Sequence, residues 1–216
     1  MGNLRVQHFL WGALLIVLAA VLAALAWSRL TVWPRQGGWD ERPLEGLRSF
    51  GTVPDFSLTE RSGRQIKLSD LQGKIWVADF FYTDCKDSCP LQSAEMAKLQ
   101  TEMADSSDLA FVSISVDPEH DVPEVLARYA DRFKADPHRW LFLTGEKKEI
   151  YRLAQEGFHL SAVPASDKRG EEADVVLHSS RFVLIDGKGQ IRGYYESSDG
   201  EARKRLRRDL KTLLRG

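Results

Sequence analysis

The sequence predicts an α/β fold, with a mixed sheet flanked by helices and an N-terminal transmembrane helix before it. Three observations lead to this prediction. Short apolar runs alternate with segments of helical periodicity, a turn signal joins the last two runs, and a long uncharged stretch lies near the start. The 216 residues, 43% of them hydrophobic and 28% charged, fit one domain and exclude collagen-like or wholly disordered classes.

The uncharged stretch covers residues 9–27 and is long enough as a helix to cross roughly 30 Å of hydrocarbon. Trp11 and Trp27 lie near its ends, where aromatic side chains favour the membrane interface. We therefore predict a short N-terminal tail over residues 1–8 and a transmembrane anchor over residues 9–27. A cleavable signal peptide is the alternative, because residues 24–26 resemble a cleavage site, but the apolar part of such peptides is usually shorter.

Residues 28–50 contain several prolines and glycines and are interpreted as a tether between the membrane and the domain. Positive charges flank the apolar stretch on both sides, so they do not decide its orientation. The eight residues before it are too few for an Arg-rich mitochondrial transit peptide, which favours a bacterial inner-membrane protein.

The first half of the domain alternates between strands and helices. Residues 56–58 and 65–68 alternate in polarity around a turn at 61–64 and predict a hairpin. Residues 75–82 form an apolar run typical of a strand covered on both faces, and residues 109–116 form a second one. Between them, residues 90–104 show roughly helical spacing of their apolar residues, which are Leu91, Ala94, Met96, Leu99 and Met103. We interpret Met96 and Met103 as core residues rather than copper ligands.

The second half continues the alternation. Residues 122–133 predict a helix, residues 140–143 a third strand and residues 146–158 another helix, whereas residues 166–174 are polar without periodicity. Residues 181–185 and 190–195 predict two strands joined by Asp186-Gly187-Lys188-Gly189, a strong hairpin signal. A helix over residues 200–214 completes the order βαβαβαββα. Such sheets bind ligands at the carboxyl ends of their strands, which directs attention to residues 83–89.

Two cysteines stand there, Cys85 and Cys89, directly after the first buried strand and at the start of the first helix. A helix N-terminus lowers a cysteine pKa below its free value of roughly 8.5. The i, i+4 spacing suits either a disulfide or two ligands of one soft metal ion. Two packed core cysteines are the alternative, and the charged neighbours Asp84, Lys86 and Asp87 argue against it.

Two thiolates need a further metal ligand, and the chain has five histidines. His8 precedes the apolar stretch, and we expect His120, His138 and His159 to be exposed. His178 stands before a strand that we expect to pair beside the first one, which would bring it near the cysteines; a plain strand cap is an equal alternative. Two thiolates with one imidazole suit copper, whereas zinc would want a fourth ligand or a water.

Three other features bear on partners and on chemistry. A formal net charge of -1 and the lack of a nucleic-acid motif argue against nucleic acid as a partner. Asp79 lies inside an apolar strand, where it could accept a proton from the cysteines or be a hydrogen-bonded structural residue. The last helix is strongly basic over residues 203–215. We favour a solvated outer face as the explanation, and a surface for anionic lipid or an acidic partner is the alternative.

These residues resemble the SCO/SenC family, membrane-tethered, thioredoxin-like copper proteins that help to assemble cytochrome c oxidase. The resemblance covers most of residues 50–214. It rests on five segments: the DFSL and LSDLQGK sequences at 55–58 and 68–74, Cys-x-x-x-Cys-Pro at 85–90, SVDPE at 115–119 with PEVL at 123–126, LTG at 143–145, and HSS before FVLID at 178–186.

The resemblance implies a thioredoxin-like copper-binding domain over residues 51–216, on the periplasmic side of the membrane, that binds Cu(I) or Cu(II). It also implies Cys85, Cys89 and His178 as the copper ligands. Lys86 departs from the neutral residue found in many members, and a cation there would stabilise thiolates but slightly disfavour bound copper.

Two functions fit this resemblance. The first is a metallochaperone that delivers copper to, or prepares, the copper A centre of a cytochrome c oxidase subunit, with other copper chaperones as further partners. The second is a membrane-anchored thiol-disulfide reductase in which Cys85 and Cys89 form the redox pair and act on cysteines of the oxidase subunit or of other periplasmic clients. Peroxide reduction is disfavoured, because the threonine-containing motif around a peroxidatic cysteine is absent.

Overall fold

The computed structural model describes residues 11, 48–86, 88–160, 163–164, 175–176 and 179–215. The chain divides into two units, residues 1–45 and residues 46–216. Within the described part, no helix is both long and apolar enough to span a bilayer. The predicted anchor over residues 9–27 lies outside the described residues except for Trp11, which is helical and exposed.

The second unit contains nine strands among the described residues, together with four α-helices. The strands are β1 (Ser57–Glu60), β2 (Gln65–Lys67), β3 (Ile75–Phe81), β4 (Leu109–Ser115), β5 (Trp140–Thr144), β6 (Val163–Pro164), β7 (Val175–Val176), β8 (Arg181–Ile185) and β9 (Ile191–Glu196). The helices are α1 (Ser88–Glu102), α2 (Pro123–Arg132), α3 (Lys147–Arg152) and α4 (Gly200–Leu213).

Seven strands form one mixed sheet in the order β2-β1-β5-β4-β3-β8-β9. The central strands β3, β4 and β5 are parallel, as their connecting helices require, and β1, β8 and β9 join antiparallel. Both predicted hairpins form, β1 with β2 and β8 with β9. The predicted pairing of β8 beside β3 is confirmed, with Ala78 opposite Val183. The mixed sheet flanked by helices is therefore as predicted.

Two apolar cores lie on the two faces of this sheet. Successive residues of β3 alternate between them, with Val77 and Phe81 in one core and Trp76 and Phe80 in the other, because side chains of a strand point to opposite faces. The first core includes residues of α1, α2 and α4, and Met96 and Met103 pack in it as predicted. The second core includes residues of α3 and of the segment that follows it.

The elements depart from the predictions in three places. A turn of π-helix over Leu153–Gly157 follows α3, so the helix predicted over 146–158 is not regular to its end. A separate two-stranded sheet pairs β6 with β7, which are too short to leave a periodic signal. Leu91, which the helical spacing predicts on the buried face of α1, is 71% exposed, because Gln92 and Ser93 lie on that buried face instead.

Candidate metal and redox site

The cysteine motif lies at the carboxyl end of β3, at the centre of the sheet. Strand β3 ends at Phe81, a short loop follows, and Cys89 is the second residue of α1. The loop begins with a turn in which the Cys85 backbone N–H donates to the Tyr82 carbonyl at 3.4 Å. This is the edge at which an α/β sheet binds its ligands, as the sequence predicted.

Cys85 and Cys89 are reduced thiols that form no disulfide, and they are only 7% and 6% exposed, respectively. The backbone N–H of Cys89 donates to the Sγ of Cys85 at 3.5 Å, so both thiols belong to one turn of chain. Both residues pack in the apolar core beneath α1, together with Phe81 and Met96. The expectation that charged neighbours keep the pair out of the core was wrong, because Asp84 and Lys86 are exposed while the two cysteines turn inward.

Burial raises the pKa of Cys89 to about 12, and its hydrogen bond with Cys85 adds to the rise. The predicted lowering by the helix N-terminus was therefore wrong for Cys89 in the metal-free dithiol. A soft metal ion bound there has to displace a proton, since the thiolate is the form that binds metals.

Asp79 lies on the same face of β3 and is fully buried. Its carboxylate accepts one hydrogen bond from Gln92 Nε2 at 3.0 Å and another from Ser113 Oγ at 2.6 Å. Burial nevertheless raises its pKa to about 6, against the effect of both bonds. The Ser113 hydroxyl in turn accepts from Trp140 Nε1 at 2.9 Å, so Asp79 is the centre of a buried network that joins β3, β4, β5 and α1. These contacts match the interpretation of Asp79 as a hydrogen-bonded structural residue.

A second buried carboxylate, Asp121, was missed from the sequence. It is 1% exposed and accepts from the Thr83 backbone N–H at 3.0 Å, from Thr83 Oγ1 at 2.5 Å and from Ser115 Oγ at 2.5 Å. An aspartate two residues before Pro123 resembles a helix cap in sequence, but Val122 is the capping residue of α2 and its side chain makes no cap bond. The partners of Asp121 are Thr83, in the loop after β3, and Ser115, at the end of β4, and the contact with Thr83 is not apparent from sequence spacing.

His178, the predicted third ligand, and Asp87 of the motif lie outside the described residues. The residues after His178 are described: Ser179 and Ser180 are partly buried and lead into β8. Because β8 is antiparallel to β3, its start lies at the edge where β3 ends. Within the described ranges, no three His, Cys, Asp or Glu side chains form a group that could hold a metal ion.

The other histidines in the described part are exposed, as predicted. They are His120, His138 and His159. His120 pairs with Asp117 at 2.9 Å, and this hydrogen bond raises its pKa.

The basic helix α4 is partly paired with α1. Arg203 Nε lies 3.2 Å from Glu95 and the Arg207 guanidinium bonds Glu102 at 2.5 and 3.0 Å, so these two cations hold the helices together. Other cations of this segment are exposed, in line with the predicted solvated face: Lys204, Arg208, Lys211 and Arg215.

Comparison with known proteins gives one consistent family. The family model described as SCO1/SenC matches residues 47–215. The SCO1 protein homolog of Bacillus subtilis is 36% identical over 141 residues, which cover 64% of this chain and 70% of that relative.

Solved structures agree in fold. A SCO1/SenC family lipoprotein from Bacillus anthracis aligns with a TM-score of 0.68 at 33% identity, covering 78% of this chain and 99% of that one. BsSco, described as having a disulfide switch and as a member of the Sco family of cytochrome c oxidase assembly proteins, aligns with a TM-score of 0.65 at 29% identity, covering 77% and 96%. ScoI of Bradyrhizobium japonicum, with copper bound, aligns with a TM-score of 0.57 at 26% identity, covering 76% and 99%.

Proposed function

The chain belongs to the SCO1/SenC family, and from this premise we propose that it binds copper and delivers it to, or prepares, the copper A centre of cytochrome c oxidase. The observation that carries the proposal is the pair of adjacent reduced thiols at the carboxyl end of β3, where the Cys89 backbone N–H donates to Cys85 Sγ at 3.5 Å. Two related proteins support it: ScoI of Bradyrhizobium japonicum has copper bound, and BsSco belongs to a family of oxidase assembly proteins.

Cys85, Cys89 and His178 are the proposed copper ligands. Two thiolates form a soft donor set for Cu(I), and an added imidazole also tolerates Cu(II). The antiparallel pairing of β8 with β3 supports His178 as the third ligand, since β8 begins at the sheet edge that carries the cysteines. The high pKa of Cys89 means that copper uptake releases protons, so apparent affinity rises with pH.

The proposed location is the bacterial inner membrane, with residues 9–27 as a single-pass anchor, residues 28–50 as a tether and residues 51–216 as the domain in the periplasm. The uncharged stretch of residues 9–27 supports the anchor. A lipoprotein among the related structures supports membrane association of the family. The proposed partner is the oxidase subunit that carries the copper A site, and a copper chaperone acting as donor is a further candidate.

The test is copper binding by the full chain in detergent, reduced and metal-free at the start. We expect one copper per chain, with sulfur-to-copper charge-transfer absorption in the Cu(II) form, and we expect His178→Ala to lose most of the affinity. His138→Ala is the matched control, because His138 is exposed and away from the motif in sequence. Copper binding by His178→Ala at wild-type affinity would remove His178 from the site, and no binding by the wild type would overturn copper delivery.

A second function, thiol-disulfide reduction, is favoured by the same thiol pair and by the disulfide switch described for BsSco. The high pKa of Cys89 leaves Cys85 as the attacking thiol. Cys85 would attack a client disulfide, and Cys89 would then displace the client from the mixed disulfide. The client gains two electrons and two protons as the Cys85–Cys89 disulfide forms. Reduction of a model disulfide peptide that is unaffected by His178→Ala, in a chain that binds no copper, would select this function.

A further inference from the structure

Two loops meet beside the cysteine motif and are joined through one buried carboxylate. The Asp121 side chain accepts three hydrogen bonds, two from Thr83 and one from the Ser115 hydroxyl. Thr83 stands two residues before Cys85 and Ser115 ends β4. The residues of the Asp121 network, Thr83, Ser115 and Asp121, therefore link the loop after β3 to the loop after β4.

Backbone hydrogen bonds also connect the segments around the Asp121 network. Val116 N–H donates to the Phe81 carbonyl at 2.9 Å, which continues the β3–β4 ladder beyond the strands. Asp121 N–H donates to the Asp117 carbonyl at 2.9 Å and closes its own loop into a turn. This turn follows β4 directly and Ser115 of β4 bonds the carboxylate, so the carboxylate ties the loop carrying Cys85 to the end of β4.

The chemistry of the Asp121 network favours a carboxylate. Three donors converge on two oxygens, and a carboxylate accepts at both of its oxygens whereas an amide accepts only at one. Hydrogen bonds to a charged acceptor are also roughly twice as strong as neutral ones. Replacing Asp121 with asparagine therefore loosens the loop before Cys85 without changing the volume of the side chain.

We propose that Asp121 is a positioning residue that holds the loop before Cys85 in the dithiol geometry and so sets the dithiol–disulfide equilibrium of Cys85 and Cys89. A disulfide needs the two sulfurs about 2.05 Å apart. Cys89 lies within α1 whereas Cys85 lies in the loop that Asp121 restrains, so we infer that this loop is the part of the motif that adjusts when the disulfide forms. The inference rests on the proposed function only in taking the two cysteines as the functional pair, and it requires no copper.

The test is a redox titration of the metal-free full chain in detergent against reduced and oxidised glutathione. In the titration the two thiols of Cys85 and Cys89 lose two electrons and two protons and become one disulfide, while one oxidised glutathione becomes two reduced glutathiones. For Asp121→Asn we expect the equilibrium constant to move about tenfold toward the disulfide, which makes the midpoint potential about 30 mV more negative.

Asp209→Asn is the matched control. Asp209 is also 1% exposed and accepts a hydroxyl hydrogen bond, from Tyr195 at 2.7 Å, but it lies on α4. Its substitution should lower the free energy of unfolding and leave the potential unchanged. Equal shifts in Asp121→Asn and Asp209→Asn would show a general effect of lost stability and would overturn the proposal.

Thr83 provides a second test in case Asp121→Asn fails to fold. Thr83→Val removes the hydroxyl bond to Asp121 but keeps the backbone N–H bond, so we expect a smaller shift in the same direction. Thr83→Ser restores the hydroxyl and should return the potential to the wild-type value. Two outcomes would overturn the proposal. One is that the equilibrium constants of Thr83→Val and Asp121→Asn both stay within a factor of two of the wild-type value. The other is that Cys85 and Cys89 of the wild type form no reversible disulfide. Failure of copper binding alone would leave these shifts unchanged.

Discussion

The backbone N–H of Cys89 is directed at the Sγ of Cys85, at 3.5 Å, within the turn that begins α1. The two thiols therefore occupy different environments although they are four residues apart. Cys85 accepts a hydrogen bond from the helix start, which stabilises electron density on its sulfur. Cys89 is held protonated by burial and by its contact with Cys85.

This asymmetry predicts slow alkylation of Cys89. In the reduced, metal-free chain at pH 8, we expect iodoacetamide to modify Cys89 at least about 100-fold more slowly than a free cysteine, because a pKa of about 12 leaves very little thiolate. Mass spectrometry of the modified peptides measures the rate. The rate should still rise at pH 10, and the chain unfolded in urea should react at the ordinary rate. A plateau near pH 9 in the folded chain would contradict the raised pKa.

Asp79 predicts a pH dependence of stability. Its pKa is raised from 3.8 to about 6 in the folded chain, so between these values the folded state holds a proton that the unfolded state releases. The free energy of unfolding therefore falls as the pH rises from about 4 to 6, and this loss of stability persists above pH 6. An asparagine there keeps one acceptor oxygen for Gln92, and its amide nitrogen can donate to the Ser113 hydroxyl oxygen, so Asp79→Asn keeps both contacts in neutral form without the cost of burying a charge.

Relative to wild type, Asp79→Asn should gain up to about 3 kcal/mol in free energy of unfolding between pH 4 and pH 7. Urea unfolding of both proteins over pH 4–8 measures the difference. Parallel pH profiles would show that Asp79 titrates equally in the folded and unfolded chains, and the prediction would then be wrong.

Local patterns in the sequence were sufficient for the sheet. The strands β3, β4 and β5 are continuous apolar runs because both of their faces are covered, and the Asp186-Gly187-Lys188-Gly189 turn between β8 and β9 has a specific signal. The carboxyl-end rule then placed the cysteine motif at the correct edge of the sheet.

What the sequence did not reveal depends on contacts between distant residues. Periodicity in α1 indicated Leu91 for the core, but Gln92 and Ser93 are buried instead because they bond Asp79 of β3 and Tyr129 of α2. The role of Asp121 was missed for the same reason, since Thr83 is 38 residues away in sequence. Burial of the cysteines likewise depends on how α1 packs on the sheet, which no local pattern gives.

The ion pair between Arg207 of α4 and Glu102 of α1 predicts a small, salt-sensitive contribution to stability. Its hydrogen bond lowers the pKa of Glu102, so the contribution is present above the ordinary glutamate pKa and is lost as the pH falls through the lowered value. Arg207→Met should reduce the free energy of unfolding by less than about 1 kcal/mol at pH 7 and low salt. The difference should shrink in 1 M salt, where the Debye length is about 3 Å, and at pH values low enough to protonate Glu102 in the folded chain.

Lys204→Met is the control for that measurement. Lys204 pairs with Glu201 of the same helix, and both side chains are largely exposed. Its substitution should change the free energy of unfolding by no more than a few tenths of a kcal/mol. If Lys204→Met costs as much as Arg207→Met, the link between α1 and α4 contributes nothing beyond general surface charge.

Gly193 in β9 is required by the Tyr195 side chain. A Cβ added at Gly193 would lie 2.5 Å from the Tyr195 hydroxyl oxygen and 2.7 Å from its Cζ, closer than van der Waals contact allows. The same hydroxyl donates to the buried Asp209 carboxylate at 2.7 Å, so the ring cannot move without lengthening that bond. Gly193→Ala should therefore lower the free energy of unfolding by about 2 to 4 kcal/mol, through overpacking and a weakened buried hydrogen bond. Gly200→Ala, where the nearest atom is 3.9 Å away, should cost far less, and a loss below about 1 kcal/mol for Gly193→Ala in urea unfolding would contradict this account.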